Sequence, residues 1–351
     1  MAGIKGKNTP LILSSLSPEL VAERLLKSAG WPEVMQIQEF PGGRNNRVFR
    51  VETRKEECLL KLYFRDPSDP RDRLGHEYGF LEACRGVGID ALPKPLAKDS
   101  ENGVALYEFI KGNRVETVGS IEILLAARFI EKINQQRGNK AFRALPHAAE
   151  ACFSLKEHVG TVDRRIGRLI QMESASPLDR EARFWVEKEL IPAWKEIREQ
   201  VVRERDLEKE LDQAMRILSP SDFGFHNSLR KEDGSLVFLD FEYAGWDDPA
   251  KLVCDLANQP DRPLSLEEAE PFSSSLVEWL GAADFWRSRF RTLAPLYQVK
   301  WACIVLNDFL PFGRNRRKFQ ETQEPEASRK HHQLNKAQGM LSRVMAQIKP
   351  I

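Results

Sequence analysis

Cysteine is scarce in this sequence. The 351 residues hold five cysteines, at positions 58, 84, 152, 254 and 303, and they contain no C-x-x-C pair. An odd number of cysteines at wide spacing argues against a disulfide framework and against a thiolate zinc site. We therefore expect a protein of a reducing compartment.

Long apolar runs are missing as well. The N-terminal LILSSL is too short for the core of a signal peptide, and the apolar stretch from Leu293 to Leu310 is interrupted by a proline and several polar residues. We therefore expect neither export nor a membrane partner, and we predict a cytoplasmic protein.

An excess of charge of one sign is also absent. Lys plus Arg number 53 and Asp plus Glu number 52, so the formal net charge is +1. A balance of this kind creates no global field that attracts a polyanion. We therefore expect no nucleic-acid partner, and the oligomeric state is left open.

The patterns that are present divide the chain into two parts. Short β-rich runs separated by turns occupy residues 36–64, and helical spacing returns over residues 70–85. After residue 111 helical periodicity dominates, with one clear β element over residues 228–241. We predict an α+β chain in which residues 1–111 form a small sheet-containing lobe and residues 112–351 form a mainly helical lobe.

The segment SDFGFHNSLRKEDGSLVFLD, from Ser221 to Asp240, carries the strongest chemical signal. Its Asp233-Gly234 pair, followed by an apolar run, is typical of a two-residue hairpin turn. A two-residue turn at this pair places Asn227 opposite Asp240 on the neighbouring strand. We therefore predict that the Asn227 and Asp240 side chains lie together at the open end of the hairpin.

This predicted juxtaposition has a chemical meaning. An amide oxygen and a carboxylate are hard ligands suited to Mg²⁺, which takes its remaining ligands from water and triphosphate oxygens. Asp222 lies five residues before Asn227 in the same loop, within reach of a hydroxyl that attacks a metal-bound phosphate. Since phosphoryl transfer depends on positioning and charge neutralisation, we predict Asp222 as the catalytic base and Asn227 and Asp240 as Mg²⁺ ligands.

Weaker signals in the first part of the chain agree with this chemistry. Gly42-Gly43, between two predicted strands, permits a close approach of backbone to phosphate, although an ordinary hairpin turn has the same form. Lys61 lies in the apolar run LLKL, where a buried lysine needs an anionic partner. Glu77 is the preferred partner and Glu82 the less favoured one. The alternative is an edge-strand lysine that points into solvent.

These residues also carry a family resemblance. The spacing D-x-x-x-x-N, followed by a hairpin and by DFEYAGWDDPAKLVCDLAN, resembles the aminoglycoside phosphotransferase and choline kinase superfamily, which is related to the protein kinases. The resemblance covers about residues 36–310 and is most specific over 221–258. It implies a two-lobed protein-kinase-like fold that uses ATP or GTP, with the adenine edge bound at Glu108 and Ile110. It also implies that Asp255 supports the catalytic loop by a hydrogen bond to its backbone.

The chain departs from the family pattern in one place. Pro220 stands where the family usually has a histidine two residues before the base, which concerns the geometry of the loop more than its chemistry. His226 is interpreted as a local support rather than a catalytic group. The letters Asp222-Phe223-Gly224 match the metal-binding D-F-G of protein kinases, but the spacing gives that role to Asp240-Phe241-Glu242.

Together these features predict a Mg²⁺-dependent phosphotransferase that moves the γ-phosphate of ATP or GTP to a hydroxyl of a small polar metabolite, such as a sugar, an aminosugar or an amino alcohol. One alternative is a catalytically impaired nucleotide-binding scaffold. The other is a protein kinase, which the short run from Asp240 to Pro249 disfavours.

For the acceptor we expect a pocket built by the helices after Glu267. Three aromatic residues of this region are candidates for its walls, namely Trp286, Tyr297 and Trp301. Three acids are candidates to hold an ammonium group, namely Glu242, Asp284 and Asp308.

Overall fold

The computed structural model describes residues 17–348 with the exception of 41–45, 68, 204–205, 312, 314–316, 318 and 320–323. The predicted phosphate turn Gly42-Gly43 lies outside the described residues. Within them the chain has the predicted α+β, two-lobed architecture, with a small lobe built on an antiparallel sheet and a mainly helical large lobe.

The small lobe is a five-stranded antiparallel sheet with strand order β1-β2-β3-β5-β4. The strands are β1 (Val34–Phe40), β2 (Asn46–Thr53), β3 (Glu57–Tyr63), β4 (Pro95–Asp99) and β5 (Val104–Glu108). Helix α1 (Pro18–Ser28), whose N-cap Ser17 accepts from the Leu20 amide, packs on one face. Helix α2 (Arg73–Gly86) covers the other face.

Strand β3 shows how this sheet positions Lys61. Successive side chains of a strand point to opposite faces. Cys58, Leu60 and Leu62 are packed in the core under α1, whereas Tyr63 belongs to the core on the α2 side. Lys61 therefore points away from α1, toward α2 and the junction of the two lobes.

The large lobe is built on helices. They are α3 (Ser120–Gln135), α4 (Lys140–Arg143), α5 (Leu155–Ile170), α6 (Pro177–Trp185), α7 (Ile191–Arg203), α8 (Pro249–Asn258), α9 (Leu266–Leu280), α10 (Ala283–Val305) and α11 (Glu326–Ile348). A π-helical turn, Val186–Leu190, joins α6 to α7. Helix α10 is central, since it packs against α5, α7, α8 and α11 around one apolar core.

Short strands interrupt these helices more often than the sequence predicts. They are β6 (Asn113–Arg114), β7 (Ile217–Ser219), β8 (Ser228–Arg230), β9 (Leu236–Phe238) and β10 (Gly245–Asp247). Strand β7 pairs with β10, and β6 adds to the β8–β9 hairpin. The predicted hairpin is present, but the other strands have three residues or fewer and leave no periodic signal.

The register of the hairpin differs from the prediction by one residue. The Lys231 amide donates to the Ser235 carbonyl, so the loop has three residues and not two, and Gly234 takes the left-handed conformation with φ of 81°. This is the usual form of a three-residue hairpin loop. The Leu239 amide consequently donates to the Asn227 carbonyl at 2.8 Å. Asn227 therefore faces Leu239, and the prediction that it pairs with Asp240 is wrong.

Two absences expected from the sequence can be compared with the structure. All five cysteines are buried, and none forms a disulfide. In the described part of the chain, no helix combines the length and the apolar character that crossing a membrane requires.

Candidate active site

A cavity of about 1100 Å³ lies between the two lobes. Apart from Gly42 and Gly43, every predicted site residue lines it, namely Lys61, Glu77, Glu108, Ile110, Asp222, Asn227 and Asp240. The small lobe, the segment after β5 and the catalytic hairpin thus meet around one space.

Lys61 links the two lobes at this cavity. Its Nζ donates to Glu77 Oε2 at 2.6 Å and to Asp240 Oδ1 at 2.5 Å. The Lys61 and Glu77 side chains are each 6% exposed, whereas that of Asp240 is 33% exposed. Burial lowers the pKa of Lys61, but the carboxylates of Asp240 and Glu77 outweigh this effect and hold it well above its usual value. The predicted partner Glu77 is present, Glu82 is not the partner, and the solvent-facing alternative is wrong.

Glu77 is itself fixed by other donors. The Tyr63 hydroxyl donates to its Oε2 at 2.6 Å, and the Phe241 amide donates to its Oε1 at 3.3 Å. Helix α2 is therefore tied to the segment that carries Asp240. Asp240 has a φ of 65°, which is uncommon for a residue with a side chain and is typical of constrained functional positions.

The loop from Ser221 to Asn227, the predicted catalytic loop, brings three polar residues together. The Asn227 Nδ2 donates to the Asp222 carbonyl at 3.1 Å, and the His226 Nε2 lies 3.5 Å from Asp222 Oδ1. A side chain at Gly224 would place its Cβ 2.8 Å from His226 Nδ1, so the loop needs glycine there. His226 thus contacts the side chain of the predicted base as well as packing in the loop.

Lys251 hydrogen-bonds to this loop, and the sequence analysis did not identify Lys251 as a support. Its Nζ donates to Asp247 Oδ2 at 2.5 Å and to Ser221 Oγ at 3.1 Å, next to Asp222. Lys251 lies four residues before Asp255 on α8, the spacing that joins side chains along one helix face, and four residues after Asp247, at the end of β10. That spacing was the available signal.

Asp255 has a different role from the one implied by the resemblance. Its carboxylate accepts from Lys300 Nζ at 2.7 Å and from the Trp301 indole at 2.8 Å. It lies 3.6 Å from Lys251 Nζ. The predicted hydrogen bond from Asp255 to the loop backbone is therefore wrong, since its contact with the loop passes through Lys251.

The donor chemistry at the cleft fits Mg²⁺. The partly exposed carboxylate of Asp240 and the amide of Asn227 line the same cavity. Because the Asn227 Nδ2 is engaged by the Asp222 carbonyl, its oxygen is the atom left for a cation. The described residues contain no group of three or more His, Cys, Asp or Glu side chains arranged around a metal site. Mg²⁺ bound with a triphosphate needs one or two protein ligands.

The predicted aromatic walls of the acceptor pocket are mostly core residues. Trp286 and Tyr297 are at most 1% exposed and belong to the apolar cores of the large lobe. Trp301 alone of the three lines the cavity.

The three acids predicted to hold an ammonium group are buried, exposed or already paired. Glu242 is 1% exposed and accepts from the Asn46 amide at 2.6 Å, whereas Asp284 is fully exposed. Asp308 lines the cavity but is paired with Arg317 and Arg329. None of the three therefore offers the cavity a carboxylate free of a protein cation or donor, apart from the surface-exposed Asp284, and the ammonium pocket stays a prediction.

The two-lobed fold and the cleft between its lobes define a protein-kinase-like phosphotransferase. The model of the phosphotransferase enzyme family matches residues 36–258, and the chain belongs to that family. The predicted resemblance is confirmed, as is the expectation of an enzyme that phosphorylates small molecules. A comparison with curated proteins by sequence finds no match.

Solved structures with the same fold come from this superfamily. A spectinomycin phosphotransferase in complex with ADP and spectinomycin has 12% identity and a TM-score of 0.59, over 92% of this chain and 98% of that chain. A choline kinase from Cryptosporidium parvum has 13% identity and a TM-score of 0.56, over 88% and 90%. An ethanolamine kinase from Plasmodium vivax has 14% identity and a TM-score of 0.56, over 95% and 84%. At these identities the likeness concerns the fold.

Proposed function

We propose that this protein transfers the γ-phosphoryl group of ATP or GTP, bound with Mg²⁺, to a hydroxyl group of a small polar metabolite. The observation that carries the proposal is the arrangement of Lys61, Asp222 and Asp240 around one cavity between the lobes. Membership of the phosphotransferase enzyme family supports it. The ADP in the spectinomycin phosphotransferase structure supports a nucleotide as co-substrate.

The nucleotide occupies the part of the cleft next to the small lobe. The backbone at Glu108 and Ile110 binds the base edge, and the expected phosphate turn Gly42-Gly43 lies outside the described residues. Lys61, held charged between Glu77 and Asp240, contributes a fixed positive charge to the triphosphate. A charge fixed in advance stabilises the transferring group without reorganisation.

Asn227 and Asp240 are the residues that hold Mg²⁺, which neutralises phosphate charge when bound. The hydrogen bond from Asn227 to the Asp222 carbonyl keeps the metal ligand and the base in one rigid loop. The ion pair with Lys61 orients the Asp240 carboxylate.

Asp222 accepts the proton of the acceptor hydroxyl as that oxygen attacks the γ-phosphorus. The new O–P bond forms, the bond between the γ-phosphorus and the bridging oxygen breaks, and the nucleoside diphosphate leaves with the electron pair. His226, 3.5 Å from Asp222 Oδ1, limits the positions that the carboxylate adopts.

The experiment separates the base from the metal ligand. Asp222→Asn should lower turnover by about 10²- to 10⁴-fold and leave the affinity for Mg-nucleotide nearly unchanged, because no metal ligand is lost. Asp240→Ala should abolish Mg²⁺-dependent nucleotide binding measured by calorimetry. Asp284→Asn, at a fully exposed position, is the matched control and should change neither quantity.

Two outcomes would contradict the proposal. Near-normal turnover in Asp222→Asn would remove the base from the mechanism. Unchanged Mg-nucleotide affinity in Asp240→Ala would remove the metal ligand. A wild-type protein that binds nucleotide but never turns it over with any small acceptor would favour the scaffold alternative.

A further inference from the structure

The part of the cavity away from the nucleotide has an unexpected charge. Arg71, Arg165 and Arg168 line it together with one carboxylate, Glu150. Arg71 is paired with Asp69 and Arg165 with Glu150, so Arg168 is the guanidinium of this stretch that has no ion-pair partner among the described residues. We call these four residues the arginine wall.

Two of the three arginines are held in fixed positions. Arg71 binds Asp69 through two hydrogen bonds of 2.7 and 2.6 Å, and its guanidinium lies 5.1 Å from the centre of the Tyr243 ring. Arg165 donates to Glu150 at 2.6 Å. Side chains held in this way have lost most of their freedom before a ligand binds, which favours affinity.

The arginine wall still has donors to offer. The Nε of Arg165 is buried without a hydrogen-bond partner, although this side chain is 9% exposed. Arg168, one helical turn further along α5, forms no ion pair with any described residue. Because the Arg165 Nε is enclosed by protein, the exposed guanidinium of Arg168 is the group through which this wall can donate to a ligand oxygen in the cavity.

The carboxylates of the same region are already neutralised. Glu150 is paired with Arg165, and Asp255 is paired with Lys300. Burial raises the pKa of Glu150, but Arg165, Lys300 and Arg71 outweigh this effect and hold it well below its usual range. Burial and the charge of Arg165 lower the pKa of Arg168.

We infer that the acceptor is a hydroxyl-bearing metabolite that also carries an oxyanion, a carboxylate or a phosphate, and that the arginine wall binds this group. Guanidinium groups bind both anions through paired N–H donors. The inference rests on the proposed function, because it assigns the acceptor of that same site. It replaces the expectation of an amino alcohol or an aminosugar.

The test uses full-length protein saturated with Mg²⁺ and a non-hydrolysable ATP analogue, so that phosphate probes do not occupy the nucleotide site. Calorimetric titrations compare six-carbon polyols of graded charge, namely glucose 6-phosphate, gluconate, glucose and glucosamine. A three-carbon series of glycerol 3-phosphate, glycerate and glycerol covers a smaller acceptor. We expect at least one anion to bind about tenfold or more tightly than the neutral and cationic members of its series.

Variants on one helix connect that preference to the arginine wall. Arg168→Ala should weaken binding of the anion about tenfold and leave the neutral polyol unchanged. Arg168→Glu should weaken binding of the anion further and strengthen binding of glucosamine. Arg164→Ala is the matched control, because Arg164 is an exposed arginine of α5 that does not line the cavity. Both positions are exposed, so neither change threatens the fold.

Three results would overturn the inference. They are an anion that binds no better than its neutral relative, an absence of anion binding in both series, and equal effects of Arg168→Ala and Arg164→Ala. If the protein binds no ATP, an outcome that contradicts only the proposed function, titrations of the carboxylates gluconate and glycerate without nucleotide, on the wild type and Arg168→Ala, decide the inference. ATP turnover on glucose or glucosamine, without turnover on any anion, would leave the proposed function standing and reject the anionic acceptor.

Discussion

Two of the buried lysines that are each held between two carboxylates differ in what surrounds them. Lys61 lies between Glu77 and Asp240 at the junction of the lobes, and the Asp240 side chain is 33% exposed. Lys251 lies between Asp247 and Asp255 within the large lobe, where these carboxylates are 0% and 4% exposed. We refer to them as the open and the closed lysine.

The exposure of the surrounding carboxylates decides which of the two lysine charges can meet a ligand. An ion pair enclosed on every side fixes the elements that carry it, as the closed lysine fixes Ser221 beside Asp222, the proposed base. An ion pair with one carboxylate open to the cleft can share its charge with a metal or a phosphate. The ion-pair chemistry is the same, so exposure separates a support from a binding group.

The closed lysine gives the largest expected effect. Lys251→Met should lower the free energy of unfolding by about 3–5 kcal/mol, because it leaves Asp247 and Asp255 buried with less compensation. Urea denaturation measures this loss. Lys336→Met is the matched control, since Lys336 pairs with Asp261 at 3.0 Å with both side chains partly exposed, and it should cost at most about 1 kcal/mol. Equal losses in the two variants would break the comparison.

The open lysine should act on turnover more than on stability. Lys61→Met should reduce nucleotide turnover by about 10²- to 10³-fold, because a fixed charge beside the triphosphate is removed. Its unfolding free energy should fall less than that of Lys251→Met, since the Asp240 carboxylate reaches water. Steady-state kinetics and urea denaturation on the same preparation measure both quantities.

The control for the open lysine is Lys98→Met, an exposed lysine of the same sheet, which should leave turnover unchanged. Normal turnover in Lys61→Met, or a stability loss larger than that of Lys251→Met, would reverse the roles of the two lysines.

The open lysine was predictable and the closed lysine was not predicted, for a physical reason. Lys61 is a charged residue within an apolar strand sequence. This is unusual, so the sequence alone marks Lys61 as a candidate. Lys251 lies in an amphipathic helix, where charged residues are ordinary. Its importance depends on burial, and burial is decided by the packing of α8 against α10.

The rest of the candidate site divides in the same way. Asp222, Asn227 and Asp240 share one loop and one hairpin, so their spacing predicts that they line one cavity even though the register was wrong by one residue. Asp233-Gly234 fits both a two-residue and a three-residue turn, and the structure has the longer one.

The arginine wall combines residues from before α2 and from α5. No local pattern joins positions 71 and 165, so only the tertiary structure reveals it.

The stability of the large lobe is also expected to depend on pH, through the buried histidine His158. His158 is fully buried, with its Nε2 3.1 Å from Asp248 Oδ2 and its Nδ1 2.8 Å from the Tyr297 hydroxyl. Burial lowers the pKa of His158, but its interactions with Cys152 and Asp248 outweigh this effect and raise the pKa to about 9, from an ordinary value of 6.5. The folded state therefore binds this proton more tightly than the unfolded state.

The sign and the range of the effect follow from these two values. The stabilisation is complete below about pH 6.5 and is lost as the pH rises through about 9, so the unfolding free energy should fall by about 2–3 kcal/mol over this interval. Urea denaturation at a series of pH values measures the slope. His158→Gln should flatten it, whereas His331→Gln, an exposed histidine of α11, should leave it as in the wild type. Parallel curves for the wild type and His158→Gln between pH 6.5 and 9 would show that the buried histidine is not charged. His158 would then act through shape and hydrogen bonding, and the ion pairs of Lys251, Lys300 and Arg289 would be the buried charges around it.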